Sequence, residues 1–239
     1  MNPIENKIAI GIDGCASGWI AVQCQPFCFP NAQASFAPSL GELFDSLKSN
    51  HFSVIDIPIG LSKNAPIRDC DVAARSLIGP RRSSIFAPPC KKASLARDYP
   101  EANSLNKKLT GHGLSKQAWM INYKIKEASK LISSGVNLFE GHPECSFAII
   151  NKSPMEEKKS NIRGFFDRIQ ILKNLGFDLL RNASQLPRKI KAQPDDLIDA
   201  CILCWSASRH LKKTGIVLPM NRSQNLTEKP RTNLSRIHV

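Results

Sequence analysis

The side chains with the most chemistry in this sequence are acids set among apolar neighbours. Asp13 closes the run at residues 7–13 (KIAIGID) directly before Gly14, and Asp56 stands inside Val54-Ile55-Asp56-Ile57-Pro58. A carboxylate in such a run loses hydration, which is costly unless something compensates it. Two compensations are open: loop N–H groups at the strand end, or a divalent cation, because hard cations take carboxylate oxygens. Asp196 and Asp199 add a pair three residues apart, which a helix projects from nearly one face. Their neighbours Leu197, Ile198, Ala200, Cys201, Leu203 and Cys204 are apolar. Acids in a first turn also complement the helix dipole. That accounts for Asp196 and for Asp195, read as a cap, better than for the deeper Asp199. Two strand aspartates and a helix pair can hold two metals about 3.5–4 Å apart, one activating water and one stabilising the leaving oxygen. Glu144, in His142-Pro143-Glu144, is a further candidate ligand or general base, with Glu140 behind it. His142 reads either as a proton shuttle or as a local hydrogen-bonding residue. The expected catalytic set is Asp13, Asp56, Glu144, Asp196 and Asp199, with Asp13, Asp56, Asp196 and Asp199 as metal ligands.

A second cluster is Gly79-Pro80-Arg81-Arg82-Ser83-Ser84. Two arginines and two hydroxyls on a proline-started turn suit charge-assisted binding of phosphate, so Arg81, Arg82, Ser83 and Ser84 are candidate substrate-binding residues. An exposed loop with routine basic residues has the same composition. Arg68, Asp71 and Arg75 have the spacing of helix-surface pairs, and residues 111–119 read as a hinge into a helix.

The elements that must position these residues follow from periodicity. Residues 7–13 and 18–25 are apolar, β-branched strands, and the tight turn between them favours an antiparallel hairpin. A third strand falls between 27 and 36, with its limits blurred by Pro26 and Pro30. Residues 39–48 form a helix capped by Ser39, with Leu40, Leu43, Phe44 and Leu47 on one stripe. A buried strand at 51–57 is followed by a helix at 67–78, closed by Gly79-Pro80. Residues 79–114 read as loops with short helical pieces. A helix at 115–133, a strand at 136–140 broken by Gly141-His142-Pro143, and helices at 161–174 and 195–212 complete the pattern. It predicts an α/β mixed five-stranded sheet, antiparallel first and parallel later, flanked by helices. Residues 1–220 are expected to form one domain carrying a basic insertion near 79–130, and residues 221–239 a polar, aperiodic, flexible tail.

Charge is unevenly placed along the 239 residues, whose formal net charge is +13. Residues 80–130 carry eleven Lys/Arg against three Asp/Glu, and residues 151–193 ten against four, whereas residues 1–79 carry five against seven. Basic segments on a neutral-to-acidic scaffold suit a polyanionic partner; a solvated basic surface is the plainer alternative. No apolar run is long enough to span a membrane, and the polar start shows no signal peptide. The eight cysteines then read as buried free thiols of a cytoplasmic chain. A zinc site from Cys24-x3-Cys28 with Cys201-x2-Cys204 is the alternative.

Several of these segments together resemble a known prokaryotic family. They are Gly11-Ile12-Asp13-Gly14-Cys15 with Gly18-Trp19, Asp56-Ile57-Pro58-Ile59-Gly60, residues 79–84, Gly113-Leu114-Ser115 with Gln117-Ala118-Trp119, His142-Pro143-Glu144, and Asp196-Leu197-Ile198-Asp199-Ala200. The family is domain of unknown function 429, described as predicted RNase H-like nucleases, and the resemblance spans about residues 7–212. It implies an RNase H-like fold with a RuvC-like arrangement of acids: Asp13 on the first strand, Asp56 on the fourth, Asp196 and Asp199 on the last helix. The leading expectation is a Mg2+- or Mn2+-dependent nuclease acting on DNA or RNA. One rival is an ATP-dependent phosphotransferase of actin or sugar-kinase topology, with Asp13-Gly14 and Gly18 at the phosphate. The other is a non-catalytic nucleic-acid binder on the same fold.

Overall fold

A computed structural model describes residues 7–47, 50–220 and 235–239. Its centre is β1 (Ile8–Cys15), which pairs on one side with β2 (Gly18–Cys24) in an antiparallel hairpin closed at Cys15 and Gly18. After a short 3-10 turn at Phe29–Asn31, β3 (Gln33–Ala37) adds antiparallel to β2. The third strand therefore exists, placed at the end of the expected window because Pro30 starts the turn before it. Next comes α1 (Leu40–Ser46), whose cap Ser39 accepts from the Glu42 N–H at 3.2 Å. Then β4 (His51–Ile55) pairs parallel to the other side of β1.

The chain continues through α2 (Asp69–Ile78), a 3-10 turn at Gly79–Ser84, α3 (Lys91–Ser94), α4 (Tyr99–Thr110), α5 (Lys116–Met120) and α6 (Asn122–Ser133). It returns as β5 (Leu138–Glu140), parallel to β4, and ends its ordered succession with α7 (Pro143–Asn151), α8 (Ile162–Leu175), α9 (Leu179–Ser184) and α10 (Pro194–Leu211). The sheet order is β3-β2-β1-β4-β5, the mixed five-stranded α/β sheet expected from the sequence.

Each face of the sheet carries its own core. Ile10, Ile12, Ile55 and Leu138 meet Leu40 and Leu43 of α1 and Ile125 and Ala128 of α6. Ala9, Val22 and Val54 meet the apolar length of α10. That helix can lie directly on β1 because residue 11 is glycine. A Cβ there would stand 2.1 Å from both the Ala200 carbonyl oxygen and the Cys204 nitrogen.

Several boundaries differ from expectation for local reasons. The stretch read as loops with short helical pieces at 79–114 holds such pieces, the Gly79–Ser84 turn and α3, but also the longer α4, three turns capped by Asp98, whose carboxylate accepts from the Glu101 N–H at 2.9 Å. The helix expected at 115–133 is two helices meeting at Ile121. Pro143, read as a strand breaker, is the first residue of α7, where a proline's missing N–H is no loss. The expected flexible tail needs a further correction. Residues 221–234 lie outside the described residues, but β7 (Ile237–His238) pairs with β6 (Val217–Leu218), and Ile237 and Val239 are fully buried. Ile237-His238-Val239 alternates like a strand, in a run too short to be heard over the polar residues before it.

Cys24 and Cys204 touch at 3.6 Å between β2 and α10, and all eight cysteines are free. Among the described residues the four cysteines weighed as a zinc site do not gather as a ligand set; Cys24, Cys201 and Cys204 are buried thiols and Cys28 is half-buried. No helix among the described residues is long and apolar enough to cross a membrane.

Candidate functional site

Strand register alone brings the first two acids together. Ile12 on β1 pairs with Ile55 on β4 in parallel, and the Asp56 N–H donates to the Ile12 carbonyl at 3.0 Å. Asp13 and Asp56 are thus the next residues along, at the carboxyl ends of adjacent parallel strands, the usual place for a ligand in an open α/β sheet. Side chains alternate along a strand. Gly11 and Asp13 therefore share the face covered by α10, as do Val54 and Asp56. The close approach at Gly11 then sets Asp199, one residue before Ala200, over the same strand end. The three aspartates come from two strands and one helix, and glycine packing brings them to one place.

Their electrostatics report that closeness. Burial first, then repulsion from Asp199 and Asp56, pushes the Asp13 carboxyl well above the usual range. Burial pushes Asp56 up to about 6, with Lys159 opposing and Glu144 adding to the rise. Burial also pushes Asp199 up to about 7, against the pull of Lys159. Asp13 has one local partner, the Gly14 N–H at 2.8 Å. The Lys159 ammonium donates to Asp199 Oδ2 and, at 2.9 Å, to Asp195. The other oxygen, Asp199 Oδ1, is buried and accepts no hydrogen bond among the described residues.

The remaining expected acids divide. Asp196 keeps to the rim: its Oδ2 accepts from the Gln193 N–H at 2.7 Å, closing a capping box at the start of α10. The cap is therefore Asp196 with Gln193, and Asp195, read as the cap from the sequence, is an ion-pair partner of Lys159. Repulsion from Asp196 still reaches Asp13. Glu144, in the first turn of α7, is committed elsewhere. Both its oxygens accept from Arg168 Nη2, at 2.6 and 2.8 Å, and both side chains are buried. Its charge is felt at Asp56, but its lone pairs toward a metal are taken up by the guanidinium. Glu140 likewise belongs to a separate network, in which Arg68 bridges it to Asp71 by charge-assisted bonds of 2.6–2.8 Å. That corrects the reading of Arg68 and Asp71 as helix-surface residues: both are buried.

Among the described residues the trio of metal-type side chains with ligand atoms all within 4.8 Å of one another is Cys70, Asp71 and Glu140. Arg68 already donates to both of its carboxylates. The aspartates of the main cluster stand farther apart, with an ammonium among them.

The Gly79–Ser84 turn lies beside His142, whose half-buried ring interacts with the Ser84 backbone and with Glu144 and Asp199. Burial holds His142 below the ordinary histidine range, and its Nδ1 makes no hydrogen bond among the described residues. Ser84 is spent inside the turn, donating to the Arg81 carbonyl at 2.8 Å. Arg82 and Ser83 are exposed and line a pocket of about 390 Å³ with Arg75, Phe86 and Ser115. Of the four expected substrate-binding residues, Arg82 and Ser83 are therefore the ones presented to a ligand.

Lys159 and Arg168 were not anticipated from sequence. Both sit in basic stretches that look like solvated surface, and nothing local marks one lysine among ten basic residues at 151–193 as the partner of a buried acid.

The model of the family described as "Protein of unknown function (DUF429)" matches residues 11–224. No curated protein and no solved structure matches the chain.

Proposed function

The chain belongs to the DUF429 family, and from the acid cluster we propose that it is a Mg2+- or Mn2+-dependent nuclease of RNase H-like architecture. One contrast carries this reading. Glu140 and Asp71 are balanced by Arg68, and Glu144 by Arg168, each through close charge-assisted bonds. Asp13, Asp56 and Asp199 have Lys159 near them, bonded to Asp199 alone of the three, and burial together with repulsion between the acids pushes their carboxyls up. Buried acids short of a charge-assisted partner at the ends of sheet strands mark a functional-site candidate.

The donor set fits a hard divalent ion, being all carboxylate, and Asp199 Oδ1, which accepts no hydrogen bond among the described residues, offers a lone pair. Asp13, Asp56 and Asp199 would hold the metal, with Asp196 at the rim. When bound, the ion supplies an activated water and neutralises charge on the leaving oxygen. The rest falls to the chain itself. Arg168 keeps Glu144 out of the ligand set while leaving its negative field on Asp56. Arg82 and Ser83 offer charge and a hydroxyl to a phosphate, and the basic segments at 80–130 and 151–193 attract the polyanion. Free thiols throughout suit a reducing cytoplasmic setting.

The test is cleavage of single-stranded, duplex and branched DNA and RNA in Mg2+ or Mn2+. Asp13→Asn is expected to abolish cutting while circular dichroism shows an intact fold. Cutting that is unchanged in Asp13→Asn sinks the assignment. Salt-sensitive binding without any metal-dependent turnover would instead favour a non-catalytic binder, a reading that Lys159's neutralisation of Asp199 lends some support.

A further inference from the structure

Lys159 has an arrangement that a merely structural ion pair does not need. Its ammonium joins two acids of α10, Asp195 and Asp199, although Asp199 is almost fully buried and Lys159 itself is 38 % exposed. It comes from the segment between α7 and α8, residues 152–161, which is neither helix nor strand at that point. That segment is nevertheless firmly anchored on both sides of the lysine. Asn161 N–H donates to the Lys158 carbonyl at 3.0 Å, and Arg168 donates to the Glu157 carbonyl at 3.2 Å. Gly164 lets the chain pack tightly there, since a Cβ would stand 2.3 Å from the Lys158 carbonyl oxygen. The backbone is fixed while a long, partly exposed side chain reaches in. A four-carbon stem can withdraw its ammonium to solvent without moving that backbone.

From this geometry we infer that Lys159 is a resident counter-ion that competes with a divalent cation for Asp199 and is released toward the substrate phosphate when the metal binds. The inference rests on the metal reading of the cluster. In the structure Lys159 takes Asp199 Oδ2, and Oδ1 accepts no hydrogen bond among the described residues. A dication drawn to Asp199, Asp13 and Asp56 meets an ammonium already among them, and like charges on one carboxylate repel. Metal loading therefore weakens the Lys159 contact, and the freed ammonium stands at the mouth of the cluster, where a phosphodiester carries the opposite charge. By linkage, a polyanion that takes up Lys159 tightens the metal, and the metal tightens the polyanion. Arg168 supports both halves of the device, holding Glu144 with one nitrogen and the Glu157 carbonyl with the other.

The experiment is Mn2+ titration calorimetry on the full chain, wild type against Lys159→Gln and Lys159→Arg. Lys159→Gln is expected to bind Mn2+ roughly tenfold more tightly, and Lys159→Arg to stay near wild type. In parallel, acetic anhydride labelling of the wild type, read by mass spectrometry, is expected to modify Lys159 more readily once Mn2+ is present. This second measurement needs no variant, so a failure of Lys159→Gln to fold leaves the inference exposed to refutation. Equal Mn2+ affinity in wild type and Lys159→Gln, or labelling of Lys159 unmoved by Mn2+, overturns the competition while leaving the metal site standing. No Mn2+ binding by either protein overturns both, and reduces Lys159 to a structural ion pair.

Discussion

Gly11 bears on both the fold and the site, and Gly11→Ala tests the link between them. A methyl group at residue 11 would stand 2.1 Å from the Ala200 carbonyl oxygen, 2.1 Å from the Cys204 nitrogen and 2.6 Å from the Leu203 carbonyl carbon. All three are backbone atoms of α10, so no side-chain rotation relieves the clash. Carbon-to-oxygen contact needs roughly 3.4 Å, and α10 must therefore move away from β1 by about 1 Å or more. Overpacking of a well-filled core costs about 1–3 kcal/mol, and a helix forced off its strand belongs at the upper end. The same movement carries Asp199 away from Asp13 and Asp56, and a misplacement of about 1 Å at a catalytic centre costs on the order of 100-fold in rate. Urea unfolding followed by circular dichroism reads the first effect as a lowered midpoint with unchanged slope. Mn2+ affinity, or turnover in the nuclease assay of the proposed function, reads the second. A Gly11→Ala protein with wild-type midpoint and wild-type metal response would refute the argument that this glycine sets the helix over the strand end.

Two other perturbations separate the remaining parts of the molecule. Glu144→Gln strips the buried Arg168 of its countercharge and should destabilise the protein by about 3–5 kcal/mol in denaturant titrations; a loss of activity at unchanged stability would instead return Glu144 to the catalytic set. His238, on β7, lies 4.8 Å from the rings of Phe139 and His210. Burial holds His238 well below its ordinary pKa and His210 down to about 4. The unfolded chain therefore binds protons there near pH 6.5 that the folded chain refuses, so this contribution is complete above that pH and is lost as pH falls toward about 4. His238→Phe should gain thermal stability relative to wild type between pH 7.5 and pH 5; a difference independent of pH would show that the imidazole is not buried neutral.

The fold was largely legible because its signals are long and periodic. The run at residues 7–25, the Ser39 cap and the almost entirely apolar length of α10 each announce one element without help from the rest of the chain. The misses fall where a local rule has two meanings. Pro143 ends a strand and starts a helix, and a sequence reader sees only the first. Ile237-His238-Val239 is too short a strand to show its alternation, and what fixes it is pairing with Val217 and Leu218, some twenty residues earlier.

At the site the limit is of another kind. Asp13, Asp56 and Asp199 were recognisable as acids in apolar surroundings, and so, on the same grounds, was Glu144. What distinguishes them in the folded chain is compensation, and the compensating cations are remote. Arg168 lies 24 residues from Glu144, and Lys159 lies 40 residues from Asp199. A guanidinium held by two carboxylate oxygens satisfies its partner, whereas a single ammonium divided between Asp195 and Asp199, with Asp13 and Asp56 close by, does not. That difference also resolves the role of the acids on α10. Gln193 and Asp196 close the start of the helix in place of Asp195, which instead pairs with Lys159 beside Asp199. The acids on which the proposed function rests are therefore the ones left short of positive charge, and the shortage is a property of packing that no spacing along the chain encodes.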